Sequence, residues 1–454
     1  MPLTNEHARD LQAGLDALSA KRRLIDSYWD YYDDIQAPSF LNEHMRKKFQ
    51  NLNDKFSLNL CRLAIITPLN RLWVESWEHQ GAQSLWERKR LEREQKRIYK
   101  HALVSGEAYI VGWKGELNNE PKVAFNDPRI IHLFHEVDDP GTKAFAVKVW
   151  KERDHTTRAI IYYPDHIIRL VGRTRPEEYH DLILKDRPTT TEAMTPGNFD
   201  YDPVDPGGPH TMGEVPVWRF ASDLWNPESR LKDLIPIQDV VNKLRSNKMV
   251  ASESSAYPQR IYFTMQDLDA ESLKNEPNTS LVLDPGDRES PASVTQFEAA
   301  QLQNYDQSID AEIQNFFTVA HLPRHLLISP GADSSGDAIR SDEGPFQEMV
   351  QDIATNFGYA WSDMMMALTG ESNPSKIQPE WQDARINNAE AQAREFKELV
   401  EGGMPPAFAA KKAFQWSLDE AKGANLAETV EQVQNLSDRS PSPTRTQTTE
   451  DGPQ

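Results

Sequence analysis

The stretch Gly331-Ala-Asp-Ser-Ser-Gly336 sets an acid and two hydroxyls between glycines, which is the spacing of a phosphate-cradling turn. That chemistry needs Lys and then Ser or Thr straight after the second glycine. Asp337 and Ala338 stand there instead, and an acid at a helix start repels a triphosphate. His132 and His135, followed by Glu136, Asp138 and Asp139, invite a metal reading. Residues three apart on a strand face opposite sides, however, and the chain has no H-E-x-x-H helix. A strand end running into an acidic turn accounts for the group. Cys61 lies among Leu58, Leu60 and Leu63, as a packed side chain does rather than a nucleophile. There is no G-x-S-x-G elbow. So acidic a chain leaves a carboxylate pair for glycoside hydrolysis open, but nothing singles one out. No catalytic residue, cofactor site or metal ligand is assigned.

The elements around that glycine-bracketed loop are long helices. Residues 299–319 carry Leu302, Tyr305, Ile309, Ile313 and Phe316 at helical spacing, and Leu322-Pro323 ends the run. After the loop, Ser334 and Asp337 are spaced as a capping box. The next stripe is Ile339, Phe346, Val350, Ile353, Phe357, Trp361, Met364 and Leu368. Gly344-Pro345 falls inside it and is expected to bend the helix rather than end it, because the stripe resumes in register. Met364-Met-Met366 reads as core. Upstream, Leu231, Leu234, Ile237, Val241 and Leu244 mark a helix over 228–256, started by Ser229 or the Asn226-Pro227 turn, with Pro236 in its first turns. The insert 258–298 reads as strand-like 259–264, a short helix near 267–274 and strand-like 280–283. One helix goes out, a small α/β knob follows and a second helix returns.

The N-terminal half is mixed. Residues 5–33 read as a helix with Leu11, Leu15, Leu18, Ile25 and Trp29 on one face. An apolar stretch over 59–77 breaks at Thr67-Pro68, and a charged helix follows at 83–104. The period then becomes that of strands, at 108–113, 121–125, 130–134, 143–150, 158–163, 166–171 and 215–220. Their short spacing favours an antiparallel meander. Residues 173–213 show no period and read as a surface excursion. Beyond Gly370 lie helical segments at 383–401, 405–414 and 417–436, then a polar tail, 437–454, with no apolar face to bury. The fold class is α+β, mainly helical.

The 454 residues suffice for two to three domains, and a formal net charge of −20 argues against a free DNA-binding protein. The basic cluster Arg88-Lys89-Arg90 with Arg93, Lys96 and Arg97 is interleaved with Glu87, Glu92 and Glu94, and reads as a solvated, ion-paired helix face. No apolar run approaches the roughly 20 residues of a membrane helix, and Met-Pro-Leu-Thr-Asn-Glu-His lacks the regions of a secretion signal. One cysteine fits a reducing cytoplasm.

The order of several stretches resembles the portal, or head-to-tail connector, proteins of tailed double-stranded-DNA bacteriophages. These are Tyr28-Trp-Asp-Tyr-Tyr32, Asn59-Leu-Cys-Arg-Leu, Leu72-Trp-Val-Glu-Ser-Trp77, Ser105-Gly-Glu-Ala-Tyr109, Asn126-Asp-Pro128 and Val215-Pro-Val. They continue with Leu234-Ile-Pro-Ile-Gln-Asp239, Ala256-Tyr-Pro-Gln-Arg260, Ser334-Ser-Gly-Asp-Ala338 and Trp381. The likeness spans about residues 10–435.

This resemblance implies a ring, typically of twelve subunits, at one capsid vertex, through which DNA is packaged and ejected. Residues 1–225 and the long helix 337–375 would form the wing, 226–257 and 299–328 the two stem helices, and 258–298 the clip. Residues 329–336 would be the tunnel loop, 376–436 the crown and 437–454 a disordered tail. Ser329, Gly331, Asp333, Ser334, Ser335 and Gly336 would face DNA, while Gln259, Arg260, Asp284, Asp287 and Arg288 would meet the motor or adaptor. Implied partners are double-stranded DNA, the terminase large subunit, the head-tail adaptor, and the major capsid and scaffold proteins, with no membrane and no cofactor. The setting would be the virion, and the host cytoplasm during assembly. A helix of about 25 residues spans roughly 37 Å, a usable channel wall. An acidic lining would let a polyanion slide where a basic one would release counterions and hold it. Two other readings stay open: a cytoplasmic carboxylate-dependent polymer hydrolase, and a head-morphogenesis protein that forms no ring.

Overall fold

The computed structural model describes residues 3–36, 57–113, 121–152, 156–172, 195–223, 226–256, 260–263, 286–287, 290–291, 293–296, 301–327, 336–382 and 389–414. Two compact units divide the chain, Met1–Gln382 and Asp383–Gln454.

In the first unit, α1 (Asn5–Asp33) starts where Thr4 accepts a hydrogen bond from the His7 amide, and ends at Asp34 in the left-handed region. Next come α2 (Leu60–Leu69), β1 (Val74–Trp77), α3 (Gln80–Arg88) and α4 (Leu91–Ser105). The single charged helix expected at 83–104 is thus two, broken where Arg90 takes a φ of 54°. No proline or glycine marks that break in the sequence.

Strands follow: β2 (Glu107–Trp113), β3 (Lys122–Asn126), β4 (Ile131–His135), β5 (Lys143–Lys151), β6 (Thr157–Tyr162) and β7 (His166–Gly172). All pair antiparallel, but they divide between two sheets instead of forming one meander. The short strands β8 (Phe199–Tyr201) and β9 (Gly207–Pro209) both add to β7, completing a six-stranded sheet with β4, β5 and β6. Part of the expected surface excursion is therefore sheet, and Phe199 is core. Three-residue strands are too short to print a period. In the other sheet, β10 (Val217–Ala221) pairs with β2, and β2 with β3.

Alternation along β5 places the six-stranded sheet between two apolar layers. Val147 and Val149 face α1, meeting Leu11, Leu15, Leu18, Ile161, Leu170 and Phe199. Ala146 faces the other way, to Tyr109, Val111, Val215 and Val217 of the three-stranded sheet. Helix and sheet approach closely at Gly14, where an added Cβ would lie 2.4 Å from the Val147 Cβ.

Helix α5 (Ile235–Ala256) begins with Pro236 as its second residue, where a proline costs no hydrogen bond. Strand β11 (Arg260–Phe263) follows, then β12 (Gly286–Asp287), β13 (Ser290–Pro291), β14 (Ser293–Gln296) and α6 (Leu302–Val319). β11 pairs with β14 and β12 with β13. The short helix near 267–274 and the strand at 280–283 lie outside the described residues. After a 3-10 turn at Arg324–Leu327 comes α7 (Gly336–Thr369), which stays helical through Pro345. β15 (Pro379–Trp381) then returns to pair with β1.

The stripe expected on α7 is buried from Phe346 to Leu368. Trp361 packs edge-on against Trp86 and Phe220 at 4.9 and 4.8 Å, and its Nε1 donates to the Tyr99 hydroxyl at 2.7 Å. Tyr99 stacks on Phe357 at 4.9 Å. Burying each such ring contributes about 1.5–3 kcal/mol, which explains how a helix with an internal proline stays whole.

The second unit contains α8 (Ala389–Glu401) and α9 (Pro406–Phe414), packed through Phe396, Ala409, Ala410 and Ala413. Gly403, at a φ of 88°, turns the chain between them. The expected helix at 417–436 and the tail 437–454 lie outside the described residues.

Candidate functional site

Polar residues at one-turn spacing fix the base of the hairpin formed by α5 and α6. Gln238 is buried. Its Oε1 accepts from the Leu60 and Cys61 amides at 2.9 and 3.3 Å, and its Nε2 donates to the Leu58 carbonyl at 2.5 Å. One residue on, Asp239 accepts from the Tyr31 hydroxyl at 2.9 Å, and Asn242 accepts from the Leu58 amide at 3.1 Å. The outgoing leg is thereby joined to α1 and to the N-terminus of α2. Ser229 sits just before it, donating to the Val104 carbonyl at 2.6 Å and accepting from the Leu231 amide at 3.0 Å.

The returning leg is lightly buried. Of the 18 residues in α6, only Ile309, Phe316 and Phe317 are in the core. Lys248 of α5 pairs with Asp306 of α6. The leg carries Asp306, Asp310 and Glu312 and no basic residue. It ends at Leu322-Pro323 as the sequence requires, with His321 at a φ of 50°.

Arg230 joins both legs to the body. It is half-buried with no carboxylate partner among the described residues, and desolvation pushes its guanidinium down to about 10. Its Nε donates to the Ala64 carbonyl at 3.0 Å. One terminal nitrogen donates to the Met349 sulfur at 3.0 Å and the other to the Ala320 carbonyl, at the C-terminal end of α6. Partial negative charge at a helix end offsets the half-buried cation there. Beside it, the His325 amide donates to Asp342 Oδ2 at 3.1 Å, tying the 3-10 turn to the start of α7. The two flanks of the 328–335 segment are thus held together.

Of the expected tunnel-loop residues, Ser329, Gly331, Asp333, Ser334 and Ser335 lie outside the described residues, and Gly336 is the first residue of α7. Among the expected clip residues, Gln259, Asp284 and Arg288 also lie outside them. Arg260 is in β11, opposite Gln296, and Asp287 is in β12, opposite Ser290, so they belong to separate strand pairs.

Two of the residues weighed for chemistry, His132 and Cys61, are engaged in structure. Nδ1 of His132 accepts from Lys21 Nζ at 3.2 Å, which occupies the lone pair a metal would need. Burial first, then the Lys21 charge, pushes His132 down to about 4. Cys61 is buried, and desolvation pushes its thiol up to about 12, far from thiolate chemistry at neutral pH.

Sequence reasoning passed over two ionic networks, one buried at Glu107 and one half-buried at Glu214. Lys21 Nζ lies 2.5 Å from Glu107 Oε1 and 2.8 Å from the Ile131 carbonyl, while the Tyr109 hydroxyl donates to Glu107 Oε2 at 2.6 Å. Burial works against that carboxylate, but Lys21 and these hydrogen bonds hold it below its usual range. Similarly, Lys143 donates to Glu214 at 2.8 Å and lies 4.7 Å over the Trp218 ring. The one available signal was a charged residue inside an apolar strand, as in Glu107-Ala-Tyr-Ile-Val111.

The basic cluster is built differently from a plain ion-paired face. Arg97 does pair with Glu94, at 3.5 Å. Cations of α4, however, are seated on rings from other segments: Lys96 over Trp73 at 5.3 Å, Arg97 over Phe125 at 4.6 Å and Lys100 over Trp29 at 5.6 Å.

A mixed body thus holds both feet of a helical hairpin. The family model for "Phage portal protein, SPP1 Gp6-like" matches residues 19–435, and the chain belongs to this phage portal protein family. Its role is accordingly that of a capsid-associated portal in DNA packaging, in a family that is structural rather than catalytic. Comparison with curated protein sequences gives no significant match. Among the described residues, no helix is long and apolar enough to cross a membrane.

Proposed function

We propose that copies of this chain, typically twelve, close into a ring at one capsid vertex and that double-stranded DNA passes through it during packaging and ejection. In this reading 226–257 and 299–328, which hold α5 and α6, are the stem, 258–298 the clip, 329–336 the tunnel loop, and residues 1–225 with 337–375 the wing. Residues 376–436 are the crown. The terminase large subunit and later the head-tail adaptor dock at the clip, through Gln259, Arg260, Asp284, Asp287 and Arg288, while the wing meets the major capsid and scaffold proteins. Assembly takes place in the host cytoplasm.

The hairpin carries the reading. Its α6 leg is largely exposed in the single chain and bears acids with no base, so it suits a wall beside which phosphates slide without being gripped. The flanks of the loop, tied by Arg230 and by the His325–Asp342 bond, give that loop a fixed seat. The test is a packaging assay with Asp333, Ser334 and Ser335 replaced by lysine. DNA protected from nuclease should fall sharply while portal incorporation is unchanged. Packaging at the normal level would overturn the tunnel-loop assignment.

A further inference from the structure

The basic stripe of α4 is unexplained by a conduit whose merit is being acidic. Arg93, Lys96, Arg97 and Lys100 recur at i, i+3, i+4 and i+7, one face of the helix. Arg93, Lys96 and Arg97 are exposed and Lys100 is half-buried, while Leu91, Gln95, Ile98, Tyr99 and Ala102 occupy the buried side. From Arg88 to His101 there are seven basic residues against two acidic ones, Glu92 and Glu94, in a chain whose net charge is −20. Rings hold three of the four stripe cations from beneath. Two of these rings flank His101, which lies 4.7 Å from Trp29 and 4.8 Å from Phe125. A cation seated on a ring loses less freedom when it meets an anion, so the stripe is pre-organised.

We propose that this face binds the phosphate backbone of double-stranded DNA, without reading its sequence, on the body of the protein. The stripe extends over about 10 Å of helix, the axial length of about three nucleotides on one strand. An acidic protein partner would need an apolar anchor at the centre of its contact. None of the large apolar side chains exposed among the described residues lies on α4, and the aromatic rings here lie under the cations. Phosphates need only positioned positive charge. The proposal requires one chain only and stands apart from ring closure.

The test is fluorescence anisotropy of a labelled duplex of about 30 base pairs with the purified full-length protein, titrated with salt. Four phosphate contacts give a slope of log K on log salt of about −3.6, so affinity should drop by about 100-fold between 50 and 200 mM salt. The variant R93Q/K96Q/R97Q/K100Q should lose about tenfold or more at the lower salt and flatten the slope by about 3.6 units. E92Q/E94Q, which leaves every stripe cation in place, should tighten binding, and R9Q should leave it unchanged. The proposal is overturned if the parent protein ignores the duplex at low salt, if the quadruple variant binds as well as the parent, or if polyglutamate displaces the labelled duplex as well as unlabelled DNA does.

Discussion

Helices α6 and α7 are neighbours in sequence and opposites in how they are held. α7 meets its partners inside its own chain, with Phe357, Trp361 and Met364 fully enclosed by rings and strands of the same unit. α6 buries three side chains and leaves Val319 and most of its polar positions in water. An internal proline does not break the first, while the second leans on α5 and on polar joints at its foot. The contrast separates an element packed into its own chain from one left largely exposed.

The sharpest attack on the well-packed side is Trp361→Ala. It removes a fully buried indole and its bond to Tyr99, and should cost about 3–5 kcal/mol, read as a lower urea midpoint. A loss below about 1 kcal/mol would mean that α7 is not the clamp described. Acid should act on the same body next. His101 and His132 are both held to about 4, chiefly by burial, whereas an unfolded chain takes up their protons near 6.5. The unfolded state then binds more protons between those values, so stability falls as the pH drops from about 6.5 to 4, by up to about 1.4 kcal/mol per pH unit for each group. Denaturation at pH 7 and pH 5 checks this, and a His101→Gln/His132→Gln variant should show the flatter profile. The smallest effect belongs to the hairpin. Lys248→Ala breaks an exposed ion pair with Asp306 and should cost at most about 1 kcal/mol. A larger loss in the isolated chain would show that the hairpin is held as firmly as α7.

What could be read from the residues followed the same division. Long stripes and clean alternation located α1 and strands β2 to β7 to within a residue or two, because each writes its period over several repeats. α7 starts where expected but ends at Thr369, six residues short of 375. β8 and β9 are too short to do so, and the break at Arg90 depends on a left-handed residue that no sequence rule favours. The ring seats of Lys96, Arg97 and Lys100 come from segments far away in the chain, so a local reading saw only alternating charge. Arg230 carries no local signal in the sequence, because the carbonyls that receive it belong to residues 64 and 320. The hairpin itself was legible, since two stripes with a compact insert between them allow little else.

The account rests on that hairpin standing beside copies of itself around a hole. Electron microscopy of the purified full-length protein tests this directly. The expected image is a population of closed rings with a central channel wide enough for a DNA duplex. Separate globules, or assemblies without an axial opening, at concentrations well above those of assembly would contradict it.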